Sequence, residues 1–197
     1  MVFGDPYRFA ILMEYIPEWS DSTFRNGLFH FFIDGEMFPE KIATATLGVD
    51  VGFLDAENSL VSFPENREIF EAKAEIAFNY MLGLISPELV DEDADIPDDF
   101  ENSYLYRAAT ENIFDAGCHV FCVAYGDEAR IIGAKIRQSV KNDETGRWSW
   151  VAVPKIEYKE IYLEKIEIEK IVKDAVNYYE TNFPFNLEEY MKNRGLK

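Results

Sequence analysis

Short runs of apolar residues bounded by turn formers dominate the first third of the chain, and this pattern is typical of β-strands. Residues 7–16 and 27–34 each predict a strand, and the second carries aromatic side chains toward both faces. Asp34-Gly35 favours the type I′ turn of a tight hairpin, so the chain is expected to return through residues 37–38. A short edge segment is expected at 42–47. These elements predict an antiparallel sheet.

The second half of the chain alternates more regularly between apolar and polar positions. Four further strands are predicted there, at 120–125, 129–138, 147–153 and 156–163. Turn-forming residues separate the first three, so we expect each to return beside the one before it. The third carries Trp148 and Trp150 two positions apart, which places both indoles on one face.

Helical spacing of apolar residues appears in two segments. Ser62 and Glu65 match a capping box and Pro64 suits a first helical turn, so one amphipathic helix is predicted from there to Gly83. Its apolar positions are Ile69, Phe70, Ile76, Ala77, Tyr80 and Met81. A closing helix is predicted from Ile168, Ile171, Val172, Ala175, Val176 and Tyr179. A short polar helix at 187–193 is expected to follow it.

These elements predict an α+β fold, with a mainly antiparallel sheet, a central amphipathic helix and a C-terminal helix packed on it. The chain has 197 residues, of which 48% are hydrophobic, so residues 1–197 are expected to bury one core as a single domain. No run has the pattern of a secretion signal or the roughly 18 apolar residues of a membrane-spanning helix. A cytoplasmic protein is therefore expected.

The net charge of −18 belongs to the first two thirds of the chain, because residues 1–126 carry −18 and residues 127–197 are balanced. Acidic residues are densest at 86–101, and no Lys or Arg stands between Lys73 and Arg107. This concentration of negative charge predicts an exposed loop. The candidate partner-binding residues there are Asp91, Glu92, Asp93, Asp95, Asp98, Asp99 and Glu101. Such charge disfavours nucleic acid and anionic membranes as partners and favours a basic protein. Alternatively, the negative charge serves only to keep the protein soluble and indicates no partner.

The sequence contains no strong motif for a cofactor, a metal or a nucleophile. It has neither GxGxxG nor a Walker-type Gly-Lys-Ser/Thr, and no serine has the glycine frame of a nucleophile elbow. Cys118 and Cys122 share one face of a predicted strand and His119 the other, so buried structural thiols are expected rather than zinc ligands. The run 91–95 superficially resembles a calcium loop, but Ile96 stands where such a loop needs glycine. No metal or cofactor is expected.

Two residues leave an enzyme open as an alternative. Glu14 lies in an apolar run, and its pKa would be raised if the side chain faced inward. The preferred interpretation places it on the outer face of an edge strand. His30 lies between Phe29 and Phe31 and is expected to be a hydrogen-bonded core histidine. We therefore expect no catalysis, with a small hydrolase using acidic residues as the alternative.

Several short motifs resemble one known family. Residues 1–11, 27–29 continuing into 33–35, 46–50 and 114–121 are similar to immunity protein family forty-two of bacterial polymorphic toxin systems. The resemblance implies a cytoplasmic, non-enzymatic protein that binds and neutralises a cognate toxin domain. Together with the acidic charge, it predicts a basic toxin. A ligand-binding regulatory module without a toxin partner is a further alternative.

Overall fold

The computed structural model describes residues 1–21, 23–143 and 145–183. In this part of the chain ten strands are found, at Val2–Gly4 (β1), Phe9–Tyr15 (β2), Asn26–Ile33 (β3), Glu36–Phe38 (β4), Ala45–Thr46 (β5), Cys118–Tyr125 (β6), Glu128–Lys135 (β7), Arg137–Lys141 (β8), Trp148–Ala152 (β9) and Lys159–Glu164 (β10). The same residues contain six α-helices, at Leu47–Gly52 (α1), Ser59–Ser62 (α2), Arg67–Glu71 (α3), Ala74–Gly83 (α4), Glu111–Asp115 (α5) and Lys165–Asn182 (α6). These helices and the antiparallel strand pairs confirm the predicted α+β class.

The first sheet is antiparallel, with the strand order β1-β2-β3-β4, and β5 pairs with the start of β3. β2 and β3 correspond to the two strands predicted near the start of the chain. At the turn between β3 and β4, Asp34 and Gly35 have φ angles of 50° and 81°. A type I′ turn needs positive φ at both central residues, so the predicted hairpin is confirmed.

The second sheet has the antiparallel order β10-β7-β6 and lies at the centre of the fold. Seven of the eight residues of β6 are buried, because packed layers cover both of its faces. On one face Cys122 and Ile131 belong to a core shared with the first sheet. On the other face Phe121 and Ile132 belong to a second core, which includes residues of α3 and α4. The near-continuous apolar run in β6 follows from this double burial.

The two sheets approach each other closely at Gly133 of β7. A Cβ built there would lie 2.8 Å from Cδ1 of Ile33 and 3.1 Å from Cζ of Phe38, which are both buried. We therefore expect Gly133→Ala to lower the free energy of unfolding by about 1–3 kcal/mol, because the added methyl must displace packed side chains. Urea unfolding measures the effect. Gly52→Ala is the control, since nothing lies within 4 Å of its added Cβ, and equal stability of both variants would contradict the expectation.

The predicted single helix over 64–83 is wrong, because three short helices, α2, α3 and α4, replace it. Ser62 is the last residue of α2 rather than a cap, and Phe63 ends that helix in the left-handed conformation with φ 46°. Asn66 caps α3 instead, through its side-chain oxygen. Ala72 then adopts an extended conformation, with ψ 158°, before α4 begins. Local turns and caps therefore interrupt an apolar spacing that looks continuous in the sequence.

The predicted strand 129–138 is likewise divided, into β7 and β8. The backbone N–H groups of Ile136 and Arg137 donate to the carbonyl of Gly117, at 3.0 and 3.3 Å, and this contact separates the two strands. β8 pairs with β9 in a two-stranded sheet of its own. The predicted strand 147–153 therefore forms but does not extend the sheet of β6 and β7.

The predicted closing helix is confirmed as α6, whose buried residues are Ile168, Ile171, Val172 and Ala175. It packs on β1 and β2 of the first sheet and on α1 and α2. The short polar helix predicted at 187–193 lies outside the described residues. Of the helices that the structure describes, none is long and apolar enough to cross a membrane.

Candidate partner interface

The acidic loop, residues 86–101, follows α4 and contains one short 3-10 turn. All seven candidate residues are exposed: Asp91, Glu92, Asp93, Asp95, Asp98, Asp99 and Glu101. Two hydrogen bonds hold the base of the loop. The side-chain amide of Asn102 donates to the carbonyl of Ile85, and the N–H of Ser103 donates to the carbonyl of Leu84, both at 2.7 Å. The loop is thus anchored at its base and exposed along its length.

Among the described residues, the candidate carboxylates of the acidic loop have no cationic partner. Of the ion pairs among the described residues, none involves any of the seven candidates. Asp91 instead accepts the backbone N–H of Asp93 at 3.1 Å, which stabilises a local turn. Uncompensated like charges produce a local negative potential that raises the encounter rate with a cationic partner. The loop therefore concentrates negative charge at the protein surface.

An exposed apolar surface borders the acidic loop on α4. Ile76 and Tyr80 lie one turn apart and are 59% and 54% exposed. One turn further, a Cβ built at Gly83 would lie 3.8 Å from Cγ2 of the exposed Val90. We call Ile76, Tyr80 and Val90 the α4 stripe. An apolar centre with a charged rim is the usual anatomy of a protein–protein interface.

The α4 stripe was not predicted, because Ile76 and Tyr80 were assigned to the buried face of one long helix. That assignment is wrong. The helix starts anew at Ala74, so its buried face is not a continuation of the face of α3. The buried residues of α4 are Ala77, Phe78, Met81 and Leu82. The sequence has no helix-capping motif near residue 74 that would have indicated a new helix, so the exposed face of α4 could not be predicted.

The two cysteines and the neighbouring histidine pack in the core. Burial raises the pKa of the Cys118 thiol to about 12 and raises that of Cys122 as well, so both thiols are protonated and poor nucleophiles at neutral pH. His119 packs edge-on against Phe114, with ring centroids 5.1 Å apart, and burial lowers its pKa to about 4. Over the residues that the structure describes, no three His, Cys, Asp or Glu side chains are grouped so as to hold a metal ion.

Glu14 and His30 have the environments of structural residues. Glu14 is exposed and its carboxylate lies 2.6 Å from the amino group of Met1, so the outward orientation is confirmed. The expected edge position is wrong, because β2 lies between β1 and β3 in the first sheet. His30 is buried, and its Nδ1–H donates to the carbonyl of Pro39 at 3.0 Å, as expected of a core histidine. Burial also lowers the pKa of His30. The hydrolase alternative needed Glu14 to face inward, and the structure does not support it.

A cavity of about 190 Å³ lies between β4 and the second sheet. Three ion pairs line it: Lys135–Glu40, Lys155–Glu157 and Lys159–Glu36. Each pair joins one cation to one anion at 3.1–3.4 Å. Since the charges are matched within the cavity wall, the cavity presents no excess charge to a ligand.

Comparison with solved structures found a protein of similar fold. The crystal structure of CdiI from Burkholderia dolosa AUO158 matches with a TM-score of 0.66 and 24% sequence identity, over 90% of this chain and 99% of that chain. The two proteins therefore share a fold. No match was found among curated proteins.

The sequence also matches a family described as immunity protein 42. The match extends over residues 1–178 and so includes all three sheets of the described residues, the acidic loop and most of α6. It covers far more than half of the chain. The chain belongs to the immunity protein 42 family.

Proposed function

We propose that this immunity protein neutralises its cognate toxin by direct binding in the cytoplasm, without catalysis of its own. The family match over residues 1–178 carries the proposal. Binding blocks a toxin when it covers the active site or holds the toxin in an inactive arrangement. Neither route requires a cofactor or a titrating catalytic group in the immunity protein.

The cognate toxin is proposed to present a basic surface to the acidic loop. The loop carries eight exposed carboxylates, those of the seven candidates and of Glu88, without ion-pair partners among the described residues. A cationic partner therefore gains attraction without breaking existing pairs. The α4 stripe beside it offers apolar area for contact. The same charge repels nucleic-acid phosphates and anionic lipid, which are therefore not proposed as partners.

A growth assay tests the proposed function. The toxin candidate is the C-terminal domain encoded by the reading frame immediately upstream, expressed in bacteria with and without this protein. We expect toxicity from that domain alone, growth when both are produced, and a stable complex on co-purification. Toxicity that persists at full expression of this protein would contradict the proposal.

Charge reversal in the acidic loop should slow association with the toxin. For Asp93→Lys with Asp99→Lys, we expect the association rate constant to fall by about tenfold at low salt, because steering by the negative potential is weakened. The difference from the unmodified protein should shrink in 1 M salt, where the screening length is about 3 Å. Stopped-flow or surface-plasmon-resonance measurements at several salt concentrations give both quantities.

A matched control separates the acidic loop from overall charge. Glu18→Lys with Glu57→Lys makes the same change in net charge at two exposed positions on other segments. If this control slows association as much as the loop variant, the loop has no special role and net charge alone steers the partner.

A further inference from the structure

The hairpin of β8 and β9 is exposed on both faces. All residues of β9 are exposed, and in β8 only Gln138 is partly buried. An isolated two-stranded hairpin is marginally stable in water. Here its base is held at Gly117, where an added Cβ would lie 2.4 Å from the carbonyl oxygen of Arg137 and 3.0 Å from Cζ3 of Trp150. The result is an anchored ribbon with large side chains in solvent.

The two tryptophans of the hairpin lie on one face together with two cations. Trp148 and Trp150 are 67% and 46% exposed. The strand register places Lys141 opposite Trp148 and Arg137 opposite Ala152, and residues directly opposite in an antiparallel pair share a face. We call Trp148, Trp150, Lys141 and Arg137 the tryptophan face.

We propose that the tryptophan face is the anchor by which this protein holds its toxin, and that it inserts into an apolar, acid-lined cleft of the toxin. The inference rests on the proposed function and identifies the contact that contributes most of the affinity for the toxin. Tryptophan and arginine are enriched among the residues that dominate binding energy at protein interfaces. Large indoles left in solvent on an anchored ribbon have the shape and chemistry of such an anchor.

The charge of the hairpin defines the chemistry of the cleft. Strand β8 of the hairpin contains two basic side chains, Arg137 and Lys141, and no acidic one, in a chain whose net charge is −18. A cleft that receives Arg137 and Lys141 beside the indoles must therefore supply carboxylates or other acceptors to avoid burying unpaired cations.

The hairpin and the acidic loop extend from the same core. Ile136, just before β8, and Tyr158, shortly after β9, pack in the core that contains Phe78 of α4, and the Phe78 and Tyr158 ring centroids are 5.2 Å apart. The acidic loop begins just after the C-terminal end of α4. A toxin that contacts both elements meets opposite charges at two places, and this polarity fixes its orientation.

Alanine variants of the tryptophan face test the anchor. For Trp148→Ala with Trp150→Ala, we expect the Kd for the purified upstream C-terminal toxin domain to rise by about 100-fold, mainly through faster dissociation. The control is Val140→Ser with Val151→Ser, which changes two exposed residues on the opposite face of the same hairpin. It should alter the Kd by less than about threefold.

Folding is checked independently by circular dichroism and urea unfolding of each variant. Because Trp150 also packs on Gly117, Trp148→Ala alone provides a second variant that leaves this contact in place. It should raise the Kd by about tenfold. An unchanged Kd, or an equal loss in the valine control, would overturn the anchor.

Charge reversal tests the proposed cleft. Arg137→Glu with Lys141→Glu should weaken binding, whereas tighter binding would show that the toxin presents cations there and would overturn the inference. Failure of the unmodified protein to bind or to rescue growth contradicts the proposed function itself. Binding by the unmodified protein that is insensitive to the tryptophan variants contradicts the anchor alone.

Discussion

Replacement of Arg130 by methionine is expected to lower the free energy of unfolding by about 3–5 kcal/mol. Arg130 lies on β7 and is only 1% exposed. Its Nη1 donates to three carbonyls at the end of α3, those of Ile69 at 3.1 Å, Phe70 at 3.0 Å and Ala72 at 2.6 Å. Its Nε donates to Glu160 of β10 at 2.8 Å, and Nη2 donates to the same carboxylate oxygen.

The size of this effect follows from what the variant leaves behind. Carbonyls in the last turn of a helix lack their usual donors within the helix. The carbonyl of Ile69 accepts the N–H of Ala72 at 3.3 Å, and Arg130 supplies a further donor to it and donors to the carbonyls of Phe70 and Ala72. Loss of the guanidinium leaves these carbonyls without its donors, and unpaired buried polar groups are more costly than the net value of the bonds they made. It also removes the cation beside Glu160, whose side chain is 36% exposed and is partly solvated. One side chain therefore links a helix to two strands of the second sheet.

Urea unfolding monitored by circular dichroism tests this prediction. The urea concentration at the midpoint should fall, while the dependence of the unfolding free energy on urea concentration should not change. Arg130→Lys keeps the charge but not the planar fork, so it should recover only part of the loss. Arg67→Met is the surface control: Arg67 pairs with Glu71 at 2.9 Å on the exposed face of α3, and its loss should lower the midpoint far less than Arg130→Met does. A loss below about 1 kcal/mol in Arg130→Met would contradict the central role of Arg130.

A single buried carboxylate should make stability depend on pH. Asp50 of α1 is 1% exposed, and its Oδ1 accepts the backbone N–H of Asn112 at the start of α5 at 2.9 Å. The side-chain amide of Asn112 in turn donates to the carbonyl of Phe29 in β3 at 2.8 Å. Burial raises the pKa of Asp50 from 3.8 to about 6. The folded protein therefore holds this proton to a higher pH than the unfolded chain.

The sign of the effect follows from proton uptake. Between pH 3.8 and about 6 the folded state binds more protons at Asp50 than the unfolded state, so its contribution to stability falls as the pH rises. The contribution is greatest below pH 3.8 and is lost above about pH 6, a total change of about 3 kcal/mol. Asparagine cannot ionise, so Asp50→Asn removes this dependence while an oxygen remains to accept the N–H of Asn112.

The measurement compares the unfolding free energies of the unmodified protein and Asp50→Asn from pH 4 to pH 7. The difference between them should shift by about 2 kcal/mol toward the variant over this range, since the remainder of the change lies below pH 4. Other carboxylates titrate in both proteins, so subtraction isolates Asp50. A difference that stays constant across this range would show that Asp50 titrates normally in the folded protein.

Local periodicity identified most of the strands and the last helix. In β2, β3 and α6 the buried positions recur at the spacing of the element, so the sequence pattern and the fold agree. The short elements β1, α1 and α5 were not predicted, since runs of three to six residues are too short to display a period. Their positions depend on distant contacts, such as the bond from Asn112 to Asp50, which the order of residues does not reveal.

The candidate interface could be predicted only in part. Charge density alone indicated the acidic loop, because like charges strongly favour solvent. The exposure of Ile76 and Tyr80 depends on the interruption near Ala72, and the separation of β8 from β7 depends on the carbonyl of Gly117. The first is a change of backbone conformation at a position that no sequence motif marks. The second is a backbone hydrogen bond between segments that are distant in sequence. Apolar side chains that they place in solvent look like core residues in the sequence.

The absence of Lys and Arg between Lys73 and Arg107 has a consequence for mapping experiments. Trypsin has no cleavage site within that stretch, and amine-directed labels and cross-linkers have nothing there to modify. Neither method would therefore detect a partner that covers the acidic loop. Carbodiimide coupling instead joins carboxylates to lysine amines without a spacer. With a basic partner it would link the loop to the lysines that face it, and digestion after Asp or Glu would release the joined peptides.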